Sequence, residues 1–493
     1  MGYPTIQFAT GGSDTLASGA GPTVAVTGVL ASCASNTTVT ITDAVDLSGV
    51  AVDGTAALWV ATASGRRWSS ITAISGSSPN WTVTVATAYG VTASGLSWAI
   101  GGKRLTLANS TRLGNDILPG WQCAIGNTQT LTAAFAWPSS GSVTANAVIR
   151  VYGSNTTRTL ITTATNSQNI FEVGNMDQII FENFQFTNTA AVKGSYAAST
   201  GMCFVNRNGG TGTLKIKGCI MDGFVCAVDC DNQNTNALNS FYMVDSEVKN
   251  CTDTTGAIRL QANASGSSKT WLDNCYLHDN TGADIYLQHS NTSLVCTYCT
   301  FQNGTIGITG ADTGVNNGFH VNLCYCSFRN KSGAGVDLLN SGYQVICHDN
   351  VFVSCVGGGF KMTAAEQSYD SAYAVPYFYN NAFYSNTAGN VINGPPTYND
   401  IILTADPFKS ATDSSLNTTP GGGAALVHAA SQAPNVTASQ PGSLGGVPTC
   451  VAAAPTPSGG GGGTATPGNP PVMLYLLGLI PSDESNRFRK FRR

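Results

Sequence analysis

Between Phe181 and Phe383 one pattern of apolar and polar positions recurs eight times. It reads apolar, any, two mostly small or polar residues, any, apolar. The copies are FENFQF (181–186), IKGCIM (216–221), MVDSEV (243–248), WLDNCY (271–276), CTYCTF (296–301), LCYCSF (323–328), CHDNVF (347–352) and FYNNAF (378–383), closing 24 to 35 residues apart. A loose period of this size predicts a solenoid in which each repeat is one coil and irregular loops absorb the length changes. Each copy is too short for a helix and is bounded by Gly, Asn, Asp or Ser, so it predicts strand.

A second short strand follows each copy from the second onward: 228–230, 258–260, 285–287, 306–308, 336–338, 360–362 and 391–393. Most read apolar-x-apolar, the period-two signature of a strand with one buried face. Glycines precede several of them (Gly256, Gly304, Gly335, Gly359), where a sharp bend is expected. Coils stacked at about 4.8 Å would form parallel sheets around a dry interior. Such a chain resembles the right-handed parallel β-helix of pectate-lyase-like proteins and phage tailspikes, over about residues 101–410. The resemblance is one of architecture and carries no catalytic motif.

The expected organisation is all-β. Residues 1–100 are rich in Ala, Thr, Ser, Gly and Val, with strand-like runs at 23–29, 38–42, 57–62, 81–86 and 96–100. They read as a small β domain that caps the first coil or attaches the chain to a larger particle. Residues 101–417 read as the β-helix, with 105–108, 147–151, 170–173 and 179–186 as its first strands. Its closing segment is Ile401–Phe408, where an Asp-Pro-Phe turn leads away from the last coil. Residues 418–471 are mostly Gly, Pro, Ala, Ser and Thr and read as a flexible linker. Residues 472–493 join an apolar run to a basic end, Arg487, Arg489, Lys490, Arg492 and Arg493, read as a tether to a partner surface.

Composition narrows the partners. Net charge is −4 and charged residues are 10%, so no nucleic-acid partner is expected. The N-terminus has no basic start or apolar run, and no stretch reaches the length of a membrane span, so neither export by a cleaved signal nor membrane insertion is expected. The 15 cysteines are expected to be reduced, consistent with assembly in a host cytoplasm. Three of them, Cys219, Cys299 and Cys326, share one repeat position with Ser246, Asn274, Asn350 and Asn381, and this slot should point inward as a ladder. Cys296 and Cys299 have the spacing of half a zinc site, but buried ladder thiols suit the pattern better, and no metal or cofactor is expected. The histidines 278, 289, 320, 348 and 428 are scattered.

Chemistry on a β-helix lies on an outer face, where side chains of successive coils align. The outward positions of the second strand series are Asp229, Arg259, Tyr286, Gly307, Asp337, Lys361 and Ile392. Asp229 with Arg259, and Asp337 with Lys361, should neighbour each other across a rung and form a charge-compensated ladder. As an alternative, glycoside hydrolysis needs two carboxylates about 5–10 Å apart. Asp229 with Asp231 or Asp253 is the candidate pair, with Tyr286 or Trp271 stacking on a sugar. A lyase would need a base and carboxylate ligands for Ca²⁺: Arg259 with Asp229 and Asp231. Tyr286, Asp337 and Lys361 are carbohydrate-binding candidates.

The leading expectation is a phage virion structural protein, tailspike-, fibre- or decoration-like. It would attach to other virion proteins through one terminus and bind host surface polysaccharide. The alternatives are a polysaccharide depolymerase or lyase on the same scaffold, and a bacterial surface adhesin. The tailspike resemblance implies a homotrimer, although no coiled-coil heptads are present.

Overall fold

A computed structural model describes residues 5–8, 26–34, 36–53, 56–63, 65–101, 122–132, 134–136, 148–154, 157–173, 178–206, 212–230, 240–260, 268–288, 292–310, 320–339, 344–362, 378–394, 397, 399–410, 413 and 415–426. Their architecture is a parallel β-helix with a small β-barrel at its start. Three parallel sheets, of 11, 11 and 10 strands, run the length of the helix, and successive coils add one rung to each. A central coil reads Thr213–Lys217 in the first sheet, Ile220–Asp222 in the second and Val228–Asp229 in the third.

The repeated phrase straddles the corner between the first and second sheets. Two residues flank seven of the short second-sheet strands in the left-handed region, five apart: Gly218 and Gly223, Asp245 and Asn250, Asn274 and Asp279, Tyr298 and Asn303, Tyr325 and Asn330, Asp349 and Ser354, Asn380 and Ser385. Asn and Asp tolerate this conformation better than other residues with a Cβ, which explains their frequency there. The corners also bond to one another: Nδ2 of Asn250, Asn274 and Asn303 donates to Asp222, Asp245 and Asp279 of the preceding coil at 2.8, 2.7 and 2.7 Å.

The closing apolar positions form the spine of the core. Phe301, Phe328, Phe352 and Phe383 stack ring on ring at 4.7, 4.9 and 5.2 Å, within 11° of parallel. In the fourth copy the closing residue is Leu277, in register between Val248 and Phe301, rather than Tyr276. The inward slot of that coil therefore holds Cys275, and Asn274 is the corner residue. The shift has a simple cause. Trp271 and Tyr276 are apolar by composition but lie on the outer faces, one residue ahead of Leu272 and Leu277.

The corrected ladder is Cys219, Ser246, Cys275, Cys299, Cys326, Asn350 and Asn381, all fully buried. The amide of Asn350 bonds to Oδ1 of Asn381 at 3.0 Å. The ladder ends on Asp400, whose Oδ1 accepts from the Asn381 backbone N–H at 3.0 Å. All 14 described cysteines are free thiols. Cys296 and Cys299 both face the apolar core.

The third sheet aligns Val228, Ile258, Ile285, Ile308, Val336, Phe360 and Val391 inward. The outward position once given to Gly307 is thus Thr309. Gly335 and Gly359 are required by close approach rather than by a bend. A Cβ on Gly335 would sit 2.6 Å from the Gly359 carbonyl oxygen and 2.9 Å from the Phe352 ring.

The N-terminal unit is a closed antiparallel barrel. Its strands run in the order Val26–Cys33, Thr38–Ile41, Asn80–Val85, Gly65–Ser77, Ala57–Thr62, Ala93–Ile100. Gly65–Ser77, absent from the expected strand-like runs, is a 13-residue strand of the barrel. Ala57, Trp59 and Ala99 point out of the barrel and share an apolar cluster with Phe8 and Cys123 of the first coils. Thr5–Phe8 pairs in parallel with Gln122–Ile125, so it belongs to the helix and not to the N-terminal domain.

At the other end, Ile401–Ile402 is the last rung of the second sheet. The chain then folds back, bridging Phe408 to Leu416. Leu403, Phe408, Leu416 and Leu426 pack over Tyr325, Val351 and Val353. Residues 418–426, expected to begin a linker, instead form a turn and a short helix, Gly423–Leu426, because Leu426 is buried against this patch. The expected strand 105–108, the remaining linker and residues 472–493 lie outside the described residues.

Candidate functional site

The third sheet brings most of the predicted residues into one outward row: Asp229, Arg259, Tyr286, Thr309, Asp337, Lys361 and Ile392 are register partners in that order. Arg259 is the hub. Its Nη2 donates to Oε1 of Gln288 at 2.9 Å, and Nη1 lies 3.7 Å from Oδ2 of Asp253. The guanidinium also lies over the Tyr196 ring at 3.0 Å and beside Tyr286 at 5.2 Å. Tyr196 arrives from a loop between coils, a contact that strand periodicity does not reveal.

This geometry decides the chemistry of the row. Arg259 is 4% exposed and Asp229 3%. A guanidinium does not deprotonate in proteins, and this one is engaged along its edge and on its face, so it fits an internal cross-link rather than a lyase base. Asp253 also accepts from the Gly256 N–H at 3.2 Å. Further along, Lys361 Nζ binds Oδ2 of Asp337 at 3.0 Å. Asp337 and Lys361 are thus an opposite-charge pair on adjacent rungs, worth a few tenths to about 1 kcal/mol, whereas Arg259 has Asp253 as its carboxylate neighbour. Asp231 lies outside the described residues.

Trp271, predicted beside these residues, is on a different face. It stands on the first sheet in an outward row running Arg150, Ile180, Lys215, Tyr242, Trp271, Val295 and Asn322. Lys215 Nζ lies 5.2 Å from the Tyr242 ring centroid, and Arg150 lies 4.8 Å from Tyr152. Arg150 Nε also donates to Oε2 of Glu182 at 2.7 Å. Tyr242 is buried, whereas Trp271 keeps part of its surface open. Trp271, in line with Lys215 and the buried Tyr242, therefore offers the aromatic surface of this row on which a sugar ring could stack.

The second sheet carries a third polar chain that sequence reasoning missed. Glu247 Oε1 accepts from Lys249 at 2.7 Å and lies 3.1 Å from Nε2 of His278. The other ring nitrogen of His278 is 2.5 Å from Oδ2 of Asp279. Burial alone would lower His278, but hydrogen bonds and charge from Glu247 and Asp279 outweigh it and raise it above its ordinary value. The same bonds overcome burial and hold Glu247 and Asp279 below the usual carboxylate range. Both imidazole nitrogens are taken, so His278 fastens two carboxylates. The chain ends at Arg329, whose Nη2 donates to the Ser410 carbonyl at 2.7 Å under the Phe408 ring at 4.3 Å. A signal was present: Glu247, Tyr276 and Thr300 occupy one register position, as do Lys249, His278 and Gln302.

No protein-family model and no curated protein matches this chain. Among solved structures it is similar to pectate lyase Pel9A, at 11% identity and a TM-score of 0.41, covering 68% of this chain and 88% of that one. It is also similar to the Agl-KA catalytic domain, at 10% identity and a TM-score of 0.29, covering 81% of this chain and 89% of that one. The tailspike protein gp49 from Pseudomonas phage LKA1 shares 14% identity at a TM-score of 0.15, covering 78% of this chain and 66% of that one.

Proposed function

We propose that this chain is a polysaccharide-binding β-helix without hydrolytic or lyase activity, carried on a virion through one terminus. The observation that supports binding is the first-sheet strip of Lys215, Tyr242 and Trp271 on successive rungs. Rungs about 4.8 Å apart give a repeating surface on the scale of one sugar unit. Against catalysis stand the outward acids and bases. The carboxylates of Asp253, Asp337, Glu247 and Asp279 each hold a cationic or imidazole partner within 3.7 Å. Attachment is assigned to the basic end, Arg487, Arg489, Lys490, Arg492 and Arg493, with other virion proteins as partners and a homotrimer as the assembled form.

Binding is tested with capsular polysaccharide of the host immobilised on a sensor surface. Trp271→Ala should weaken binding about tenfold, the value of roughly 1.4 kcal/mol for one ring stacked on a sugar. The same polysaccharide incubated with the protein should yield no new reducing ends and no unsaturated uronate. Appearance of either would replace the binding reading with the depolymerase or lyase reading. Immunogold labelling of purified particles tests the virion assignment. Gold at the tail tip supports receptor binding, gold over the head supports decoration, and unlabelled particles overturn it.

A further inference from the structure

Apart from the faces above, one cluster joins a nucleophile, a base and an orienting acid. Cys324 ends the first-sheet strand His320–Cys324 with its side chain on the face away from the core that Leu323 fills, and it is 2% exposed there. The next coil places His348 in register beside it. Sγ of Cys324 is 3.0 Å from Nε2 of His348, and Nδ1 of His348 is 2.8 Å from Oδ2 of Asp349. Tyr379, one coil further, stacks on the imidazole at 4.9 Å and 8°. Tyr325 meets it edge-on at 5.7 Å. The ring is therefore fixed in plane with each nitrogen aimed at one partner. Sγ of Cys324 also lies 2.9 Å from Oδ1 of Asn322, a second acceptor for the thiol proton.

No other described thiol has this setting. Cys219, Cys275, Cys299 and Cys326 face the core and donate to backbone carbonyls at 3.3 to 3.7 Å. Burial pushes Cys219 up to about 12 and Cys355 up to about 11, so both stay protonated. His348 behaves oppositely. Burial alone would lower it, but charge on the Cys324 sulfur and the bond to Asp349 hold it at about 10. The titratable groups around the cluster are Tyr325, Tyr379 and Asp349, with Cys296 and Cys347 behind the sheet. Cys324 packs in one buried apolar cluster with Tyr325 and with Leu403 and Phe408 of the closing segment.

We infer that Cys324, His348 and Asp349 form a thiol-modification site that takes small uncharged disulfides. Asp349 orients His348, His348 takes the proton of Cys324 as the sulfur attacks, and the sulfur is the nucleophile. In the exchange a bond forms between Sγ and one sulfur of the disulfide, and the disulfide bond breaks. The departing sulfur leaves with the electron pair and takes the proton from His348. The chain keeps a mixed disulfide, and no external oxidant is needed.

The probe is 2,2′-dithiodipyridine added to the folded full-length chain at pH 6. One equivalent of pyridine-2-thione should be released in a fast phase, with peptide mapping placing the adduct on Cys324. The rate should change less than about threefold between pH 6 and pH 8, where an ordinary thiol accelerates nearly a hundredfold. Cys324→Ser should abolish the phase. His348→Gln should slow it at pH 6 by about tenfold or more and restore the steep pH dependence. Circular dichroism checks the fold of each variant, and the wild-type pH profile decides independently of them. An unmodified Cys324, another cysteine reacting first, or a rate rising in proportion to hydroxide would each overturn the site.

Discussion

Single residues inside this solenoid carry charges that periodicity hides. Lys331 follows the left-handed Asn330, at a slot that other coils fill with Phe224, Cys251, Asn280, Gly304, Cys355 and Asn386. It is fully buried, and its Nζ lies 2.5 Å from Oδ2 of Asp284 two coils below. The reach is possible because the intervening coil has Gly304, with no side chain, in that slot. Asn280 completes the group, donating to Oδ1 of Asp284 at 2.8 Å. Lys331→Met should therefore cost about 3–5 kcal/mol in urea unfolding, by leaving a buried carboxylate unpaired. Asp284→Leu combined with Lys331→Met should recover most of that loss, and a double variant as unstable as the single one would refute the pairing. His278 gives a pH-dependent counterpart. Its raised value means that the folded chain holds the proton more tightly than the unfolded chain. The stabilisation is thus complete below about pH 6.5 and fades as pH rises through the folded value. His278→Gln should destabilise the protein at pH 6 and matter less at pH 9, as read by urea midpoints at the two pH values. Neither group was legible beforehand, since a lone lysine or histidine in a polar loop carries no mark of what the next coil sets against it.

At the scale of the element, the corner is the unit that the amino-acid pattern encodes most openly. Asn, Asp and Gly recur there because two backbone positions per coil are left-handed. Asp245, at φ 51°, also accepts the Asn274 amide. Asp245→Val should cost about 2 kcal/mol, from backbone strain plus the lost bond. Asp245→Gly should cost less than half of that, because it removes only the bond; equal losses in denaturant titrations would show that φ is not the constraint. Gly335→Ala should destabilise by about 1–3 kcal/mol through the clash with the Gly359 carbonyl and the Phe352 ring. The third-sheet strands and the Phe spine were readable for the same reason as the corners: one face of each strand is dry, so the apolar positions alternate. The register slipped where outward aromatics imitated inward ones, at Trp271 and Tyr276, and where a strand began before its glycine, at Ile306–Gly310. The barrel strand Gly65–Ser77 escaped because its Ser and Gly content overrode its β-pattern.

For the whole molecule, the two ends of the chain are packed down by different means. Trp59 of the barrel packs on the first coils, and the folded-back segment with Phe408 and Leu426 lies on the outer face of the second sheet at Val351 and Val353. Exposed apolar surface recruits other chains, so loss of either contact has a predictable result. Phe408→Ala uncovers the Arg329 guanidinium and opens the patch around Tyr325. It should lower the thermal midpoint and increase light scattering on heating; unchanged scattering would mean that the segment is not a cover. The candidate site was only partly legible at this scale. The row through Arg259 followed from strand alternation, but its capping by Tyr196 and the meeting of Cys324 with His348 depend on how far each loop travels between coils.

The constant five-residue corner spacing makes the coil interchangeable as a length of chain. Ser327 and Val351 occupy the same position in adjacent rungs, so excising 327–350 would join two ends that already lie in register. Growth and shortening by whole coils would leave every remaining corner intact and move the outer rows by one step. A lineage built this way can change the reach of its surface without redesigning its interior, and the Lys331–Asp284 tie marks one place where such a splice would be felt.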